Sequence, residues 1–264
     1  SDVTVEKCQI SNICNWTTKY DVVSEGSTAF MIYDDIDVYN INVNQCLFDK
    51  NYIAFYFAQG VAGTSKVNAN NISIKNSAFT NGGFKAIYAE RLDNFTVDNC
   101  SFVNTGLTTI SHPAAIDINL KWEAYSGNIT IKNSYFSGCG IPNSGTNVNG
   151  AAVMFKSRDF GGYASDPASF TGNFYLHGCT FKNNNAGFRI GESNNGSGTT
   201  SGNNSTYGSG TIEVRNSVFQ SNTAGSYQTY NHFGIRNVST RNINVLNCYF
   251  GGGAATTNTA FGGP

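Results

Sequence analysis

The chain has 264 residues, and its 16 basic and 17 acidic side chains leave a net charge of −1. So small a charge excludes a nucleic-acid binder that works through bulk positive charge. Charged residues form 12% of the chain, against about 25% in an average globular domain, which argues against coiled coils and charge-driven disorder. No run of about 18 apolar residues occurs, so no membrane span is expected.

One short template recurs along the chain and reads apolar, any, apolar, any, Asn, small, any, Phe. Two looser copies come first, and six clear copies follow: VTVEKCQISN, INVNQCLFDKN, NNISIKNSAFTN, DNFTVDNCSFVN, GNITIKNSYFSG, GNFYLHGCTFKN, TIEVRNSVFQSN and RNINVLNCYFGG. The alternation predicts a strand with one buried face. The shortest interval between copies, 23 residues from Ser77 to Cys100, fits three short strands but not a βαβ unit.

The aligned copies define columns that stack from one copy to the next. The small position holds Cys8, Cys46, Ser77, Cys100, Ser134, Cys179, Ser217 and Cys248. The position before it holds Lys7, Gln45, Asn76, Asn99, Asn133, Gly178, Asn216 and Asn247. Asn and Gly tolerate a left-handed backbone, so a tight turn is predicted here, with stacked amides that hydrogen-bond to each other.

A second strand is predicted after each Phe. Its copies are AFMIYDD, IAFYFAQ, KAIYAER, AAIDINLK, AAVMFKSR, GFRIGES and HFGIRNVS. Period two places one inward column at Phe30, Phe55, Ile87, Ile116, Val153, Phe188, Ile235 and Phe261. The outward columns are then Met31, Tyr56, Tyr88, Asp117, Met154, Arg189 and Arg236, and Tyr33, Ala58, Glu90, Asn119, Lys156 and Gly191.

With these repeats the chain resembles the right-handed parallel β-helices of the pectate-lyase-like superfamily. The spacing Phe48 to Asn51 and Phe181 to Asn184 is also similar to repeats of bacterial surface adhesins. We therefore expect an all-β fold, a right-handed single-stranded parallel β-helix (solenoid) of about eight rungs, in one domain over residues 1–264. Because the chain opens directly in a template strand, we expect a segment of a longer, extracellular or cell-surface protein.

The cysteines and a group of aspartates are further candidate sites. Five of the seven cysteines occupy the small column, which predicts buried side chains, and Cys14 and Cys139 remain as the candidates for pairing. Asp34, Asp35 and Asp37 are a possible Ca²⁺ site, the alternative being an Asp-rich turn. No other cofactor is indicated.

Long insertions flank the second strand and are expected to wall a groove whose floor is that strand's outward face. They cover residues 13–27, 105–113, 140–150 and 224–231 before the strand and 158–172 and 192–210 after it. Rungs about 4.8 Å apart bring distant residues together there. The result is a mixed polar patch in a chain poor in charge.

Catalytic candidates in this patch are Glu90, Asp117, Lys156, Arg189 and Arg236. The two carboxylates are placed for acid, base or nucleophile roles in a glycoside hydrolase. The resemblance implies a second chemistry, in which Lys or Arg binds a uronate carboxylate and takes the adjacent proton, as in β-helical lyases. The chain departs from the pectinase pattern, since Asp34-Asp35 lies on an early rung and His177-Gly178 on another strand.

Binding without chemistry is the preferred hypothesis. The candidates for contact with a ligand are Tyr56, Tyr88, Asn119, Lys121, Trp122, Arg158, Glu192, Tyr230 and His232, since aromatic faces with polar tips suit sugar rings. The chain is then an adhesin-like module for a polysaccharide or cell-surface glycan. The alternatives are a lyase or hydrolase of an acidic or plant cell-wall polysaccharide, and a spacer in which opposite charges on neighbouring rungs only stabilise the sheet.

Overall fold

A computed structural model describes residues 2–13, 28–33, 36–59, 67–108, 112–141, 150–158, 166, 168–191, 209–223, 230–235, 242–252 and 259–262. Within these ranges the regular structure is entirely β. The first strands are β1 (Val3–Glu6), β2 (Gln9–Ser11), β3 (Thr28–Ile32), β4 (Val38–Asn44), β5 (Leu47–Asp49), β6 (Ile53–Phe57), β7 (Ala69–Lys75), β8 (Ala78–Thr80), β9 (Lys85–Ala89), β10 (Asp93–Asp98), β11 (Ser101–Val103), β12 (Ala114–Leu120) and β13 (Ala124–Tyr125). The others are β14 (Ile129–Lys132), β15 (Tyr135–Ser137), β16 (Ala151–Ser157), β17 (Ser169–Phe170), β18 (Phe174–His177), β19 (Thr180–Lys182), β20 (Phe188–Ile190), β21 (Ile212–Arg215), β22 (Val218–Gln220), β23 (Tyr230–Ile235), β24 (Ile243–Leu246), β25 (Tyr249–Gly251) and β26 (Thr259–Gly262).

Three parallel sheets of eight strands each make up the architecture. Sheet A joins β1, β4, β7, β10, β14, β18, β21 and β24; sheet B joins β2, β5, β8, β11, β15, β19, β22 and β25; sheet C joins β3, β6, β9, β12, β16, β20, β23 and β26. The chain passes through A, B and C in turn, so each copy of the template forms one rung. β13 and β17 pair separately beside the solenoid. The predicted all-β parallel β-helix of eight rungs is confirmed.

The template positions stack in register, and the phenylalanine of each copy shows this most clearly. The rings of neighbouring rungs are parallel, with centroids 4.7–5.0 Å apart, at Phe48, Phe79, Phe102, Phe136, Phe181, Phe219 and Phe250. In the interior rungs the inward columns are almost completely buried. Burial of this apolar surface is the main source of stability in a solenoid.

The turn between sheets A and B has the predicted left-handed backbone. Its eight residues have φ between 50° and 63°: Lys7, Gln45, Asn76, Asn99, Asn133, Gly178, Asn216 and Asn247. The predicted ladder of amides forms in part. Asn99 Nδ2 donates to Asn76 Oδ1 and Asn247 Nδ2 donates to Asn216 Oδ1, both at 2.8 Å, whereas Asn133 Nδ2 donates to Asp98 Oδ1 at 2.9 Å. The repeated Asn thus serves both the turn and the stacking of rungs.

The small column is a hydrogen-bonding ladder as well as a packing position. The backbone N–H groups of Cys46, Cys100 and Cys179 each donate to a serine hydroxyl on the next rung at 3.1–3.2 Å. All six described cysteines have free thiols. Cys139 is therefore unpaired with any cysteine here, and Cys14 lies outside the described residues.

Sheet C departs from the predicted alternation at the start of its strands. Two consecutive residues point inward there, as in Ala86 and Ile87 on β9 and Ala115 and Ile116 on β12. The residue before each pair therefore points outward instead of into the core. On β9 this residue is Lys85, which lies opposite Ala114 of β12.

Candidate functional site

Asp117 is the centre of an ion-pair cluster on the outward side of sheet C. Its Oδ2 lies 2.6 Å from Lys85 Nζ, and its Oδ1 lies 3.4 Å from Lys156 Nζ. The three side chains come from the neighbouring strands β9, β12 and β16. We call this outward side, together with the residues that directly follow its strands, the sheet C face.

The charges of the cluster shift one another's pKa values. Burial alone would raise the pKa of Asp117, but Lys156 and Lys85 overcome that effect and hold it well below its ordinary value. Burial lowers the pKa of Lys85 to about 8, with the repulsion of Lys156 adding to the effect and Asp117 opposing it. The cluster therefore holds a permanent carboxylate beside an amine that loses its proton unusually easily.

Glu90 forms a second, adjoining network. Its Oε1 accepts a hydrogen bond from Tyr88 Oη at 2.7 Å and forms an ion pair with Lys121 Nζ. Its Oε2 accepts from the backbone N–H of Gln59 at 3.2 Å, and Asn119 Nδ2 donates to Tyr88 Oη at 3.3 Å. Burial and the neighbouring Glu90 carboxylate raise the pKa of Tyr88 well above its ordinary value. Tyr88 consequently stays a neutral phenol that links the two networks.

Aromatic rings lie beside both networks. Tyr56 and Tyr88 stack with centroids 4.8 Å apart and planes at 11°, and both side chains are half-buried. Lys85 Nζ lies 3.7 Å from the centre of the Tyr88 ring, and Lys121 Nζ lies 5.4 Å from that of Trp122. Cations at these distances are attracted by the ring faces.

The structure brings together most of the predicted site residues. Those on the sheet C face are Tyr56, Tyr88, Glu90, Asp117, Asn119, Lys121, Trp122, Lys156, Arg158 and Arg189. The charged members do not line an open floor as expected, since Glu90, Asp117, Lys156 and Arg189 are at most 4% exposed. Glu192, Arg236 and the side chain of Tyr230 lie outside the described residues, as do most of the predicted groove walls.

Two predictions on the seventh rung are wrong. Phe233, not Ile235, pairs with Phe188, so Gly234 takes the place opposite Arg189 that was assigned to Arg236. The register follows the aromatic residue, because Phe233 stacks on Phe188 with centroids 5.3 Å apart.

His232 lies away from the predicted position at the groove margin. Its Nδ1 is 3.1 Å from Asn222 Nδ2, in a buried ladder that also contains Asn184. Asn222 Nδ2 donates to Phe181 O as well. Burial lowers the pKa of His232, so the neutral imidazole serves as an acceptor that ends this internal ladder.

Two members of the site were missed by the sequence analysis. Lys85 was not among the candidates, because strict alternation from Ile87 makes its position inward. The alanine that precedes the apolar residue in four strands, at 54, 86, 115 and 152, signals the extra inward position. His112 lies in a connection without repeat pattern. Burial, together with the charges of Lys156 and Arg189, lowers the pKa of His112 to about 2, so it is a neutral imidazole beside the cluster.

A calcium site near Asp37 gains no support from the described residues. Asp37 Oδ1 accepts a hydrogen bond from the backbone N–H of Asn68 at 2.6 Å, and Asp34 and Asp35 lie outside those residues. The guanidinium of Arg91 binds the backbone carbonyls of Tyr33 and Ile36, and its charge disfavours a second cation there. No group of three or more His, Cys, Asp or Glu suited to a metal occurs in the described parts of the chain.

The described residues contain no helix long and apolar enough to cross a membrane. The chain matches no protein-family model, and neither curated proteins nor solved structures include a significant match to it. Arguments about its function therefore rest on the site itself.

Proposed function

We propose that the sheet C face binds an anionic polysaccharide or cell-surface glycan, as part of a module that acts outside the cell. The observation that carries this proposal is a local excess of positive charge. Among the described residues of this face five are basic and two acidic: Lys85, Lys121, Lys156, Arg158 and Arg189 against Glu90 and Asp117. The chain as a whole, by contrast, has a charge of −1. Such a field attracts carboxylate or sulfate groups.

The aromatic side chains support a saccharide as the anionic ligand. Tyr56 and Tyr88 form a stacked, half-buried pair on consecutive rungs, and Trp122 follows on the next. Aromatic faces with a polar edge suit the apolar side of a sugar ring and its hydroxyls. The buried charged side chains then attract the ligand through their electric field, while the half-buried rings and Lys121 contact it directly.

The test is a binding assay with immobilised polygalacturonate, alginate and a sulfated galactan, with a neutral glucan for comparison. We expect retention on an acidic polymer that weakens with added salt. Tyr56→Ala and Lys121→Gln should each weaken it several-fold, whereas Lys182→Gln, at an exposed position of sheet B, should not. Equal retention on neutral and acidic polymers, or equal effects of Lys121→Gln and Lys182→Gln, would contradict the proposal.

One observation favours a second candidate function, the elimination reaction of a polysaccharide lyase. An amine with a pKa of about 8 is partly neutral in mildly alkaline solution and can then accept a proton. In this candidate Lys85 takes the proton beside a uronate carboxylate, which Lys156 and Arg189 neutralise. All three residues are at most 4% exposed, so the reaction requires the cluster to open to the substrate. A carbon–carbon double bond forms as the bond from the neighbouring carbon to the glycosidic oxygen breaks, and the adjoining sugar leaves with that oxygen, which takes a proton from solvent. Unsaturated products that increase from pH 7 to 9 and are absent with Lys85→Gln would support it.

Glycoside hydrolysis has less support than elimination. A retaining or inverting hydrolase needs one carboxylic acid that donates a proton. The two lysines that flank Asp117 hold its pKa well below the ordinary value, so it remains a carboxylate. Its pairing with both ammonium groups also weakens it as a nucleophile.

A further inference from the structure

A groove of about 620 Å³ runs along the corner between sheets A and B, whereas the charged cluster lies on sheet C. It crosses the first five rungs, from Lys7 to Asn133 and Tyr135. Every rung contributes equivalent template positions to it, so its walls repeat with the spacing of the rungs.

One wall of the groove consists of exposed amides. Asn76, Asn99 and Asn133 have φ values of 50–52°, and their side chains are exposed. Asn99 donates to Asn76, and Asn76 donates to Asn44, at 2.8 and 2.9 Å. A primary amide has two N–H donors and two acceptor lone pairs, so these bonds orient the amides and leave further groups for a ligand.

The opposite wall is low because its middle residues are small. Ala78 and Ser101 occupy this position between the larger Leu47 and Tyr135. The groove ends at Tyr135, whose side chain is 39% exposed. On the following rung Gly178 replaces the asparagine, and the wall of amides is interrupted there.

The floor of the groove consists of small, buried side chains whose polar groups are already hydrogen-bonded within the protein. Cys46, Ser77 and Cys100 form it, and each is 3% exposed. Their thiol and hydroxyl groups bond to backbone carbonyls of the same or the preceding rung. The shape of the groove is therefore preorganised by the solenoid itself, which lowers the cost of binding a ligand.

We propose that this groove binds a linear, neutral, β-linked polysaccharide chain that lies parallel to the solenoid axis. Of the described residues that line it, Lys7 alone is charged, so an ionic ligand gains little there. Exposed amides pair well with sugar hydroxyls, and the ring of Tyr135 offers a face for one sugar.

The repeat distance favours a saccharide over a peptide. Rungs follow one another at about 4.8 Å, whereas an extended peptide advances by about 3.3 Å per residue and loses register with them. A pyranose unit linked through opposite sides of its ring advances by about one rung. Successive sugars therefore meet successive amides. This site is independent of the sheet C face.

The test is calorimetric titration with hexasaccharides of β-1,4-linked glucose, xylose and N-acetylglucosamine. We expect saturable binding of at least one of them. Ser101→Trp, which fills the groove from the outward side of β11, should weaken that binding at least tenfold. Val103→Trp is the matched control, since it adds the same ring outward on the same strand, outside the lining, and should leave the affinity unchanged.

Three outcomes would overturn the groove proposal: no binding of any neutral hexasaccharide, equal loss in the two tryptophan variants, or saturable binding of an extended neutral peptide instead. Tyr56→Ala separates the two sites. It should weaken retention on acidic polymers and leave hexasaccharide binding intact, so failure of one proposal is distinguishable from failure of the other.

Discussion

Asp117 is the single carboxylate between two buried ammonium groups, and its removal has a definite consequence. In Asp117→Asn the ammonium groups of Lys85 and Lys156 remain buried without their counter-charge. We expect the free energy of unfolding to fall by about 3–5 kcal/mol, measured by urea unfolding at pH 7.

Asp98→Asn is the control for this prediction. Asp98 forms an ion pair with Lys132 at 3.4 Å, and both side chains are partly exposed. Loss of such a surface pair costs about 0–1 kcal/mol. Similar losses in the two variants would mean that the cluster at Asp117 is hydrated and not a buried ion pair.

Lys85 makes stability depend on pH in the alkaline range. Its pKa is about 8 in the folded chain, against 10.5 for an ordinary lysine. Between these values the unfolded chain binds more protons than the native one, so stability increases as the pH rises. From pH 7.5 to 9.5 this side chain should add about 2 kcal/mol to the free energy of unfolding. The measurement is urea unfolding at both pH values, and Lys85→Met should lack the increment. An equal increment in the variant would refute the assignment.

Among the structural elements, the phenylalanine stack offers the clearest comparison. Phe102 lies between Phe79 and Phe136 with centroids 4.7 and 4.8 Å away, whereas Phe250 ends the described stack on Phe219. Phe102 is fully buried and Phe250 only partly. Phe102→Ala should cost about 3–5 kcal/mol and Phe250→Ala clearly less, in denaturant unfolding of each. If the end residue costs as much as the central one, stability does not follow burial along the stack.

The strands of sheets A and B were predictable because their template is strict. In a stacked rung the alternating apolar residues face the core, the Asn occupies the turn with positive φ, and the Phe stacks on the Phe of the next rung. These three preferences agree with one another. Sheet C was predicted less well. The inward pair Ala86–Ile87 breaks the alternation, and small alanine carries little pattern signal. This is why Lys85 was missed while Glu90, Asp117 and Lys156, beyond the break, were placed correctly on the outward side.

Other parts of the candidate site lay beyond pattern reasoning for different reasons. The burial of Asp117 had no signal in the template, because alternation tells which way a side chain points and not how deeply it lies. His112 belongs to a connection without a repeat. On the seventh rung two apolar residues, Phe233 and Ile235, fit the inward column equally by period, and only ring stacking on Phe188 decides between them.

The 264-residue chain, studied by itself, should open from its first and last described rungs. A solenoid rung contacts only its neighbours, so an end rung has one stabilising interface and an interior rung has two. Val3 is 42% exposed, whereas its equivalents on the next three rungs, Ile41, Ile72 and Phe95, are at most 6% exposed.

We therefore expect amide hydrogen exchange to be faster in peptides from β1, β2, β24 and β25 than in peptides from β10, β11, β14 and β15. Mass spectrometry of peptic fragments at neutral pH measures this difference. The order should persist in Phe102→Ala, with the central peptides losing protection. Uniform exchange along the chain would show that the rungs unfold as one cooperative unit.

The regular stacking of rungs also sets fixed distances along the axis of the solenoid. Each copy of the template advances the structure by one strand spacing of about 4.8 Å, whatever the length of its connecting loops. The eight described rungs thus separate groups attached at β1 and β24 by about 34 Å. Duplication or loss of one complete copy would change that separation in steps of one rung, while the stacked amides and rings would meet their counterparts as before. Duplication of a repeat within the gene can thereby change the length of the solenoid without any new packing arrangement in its core.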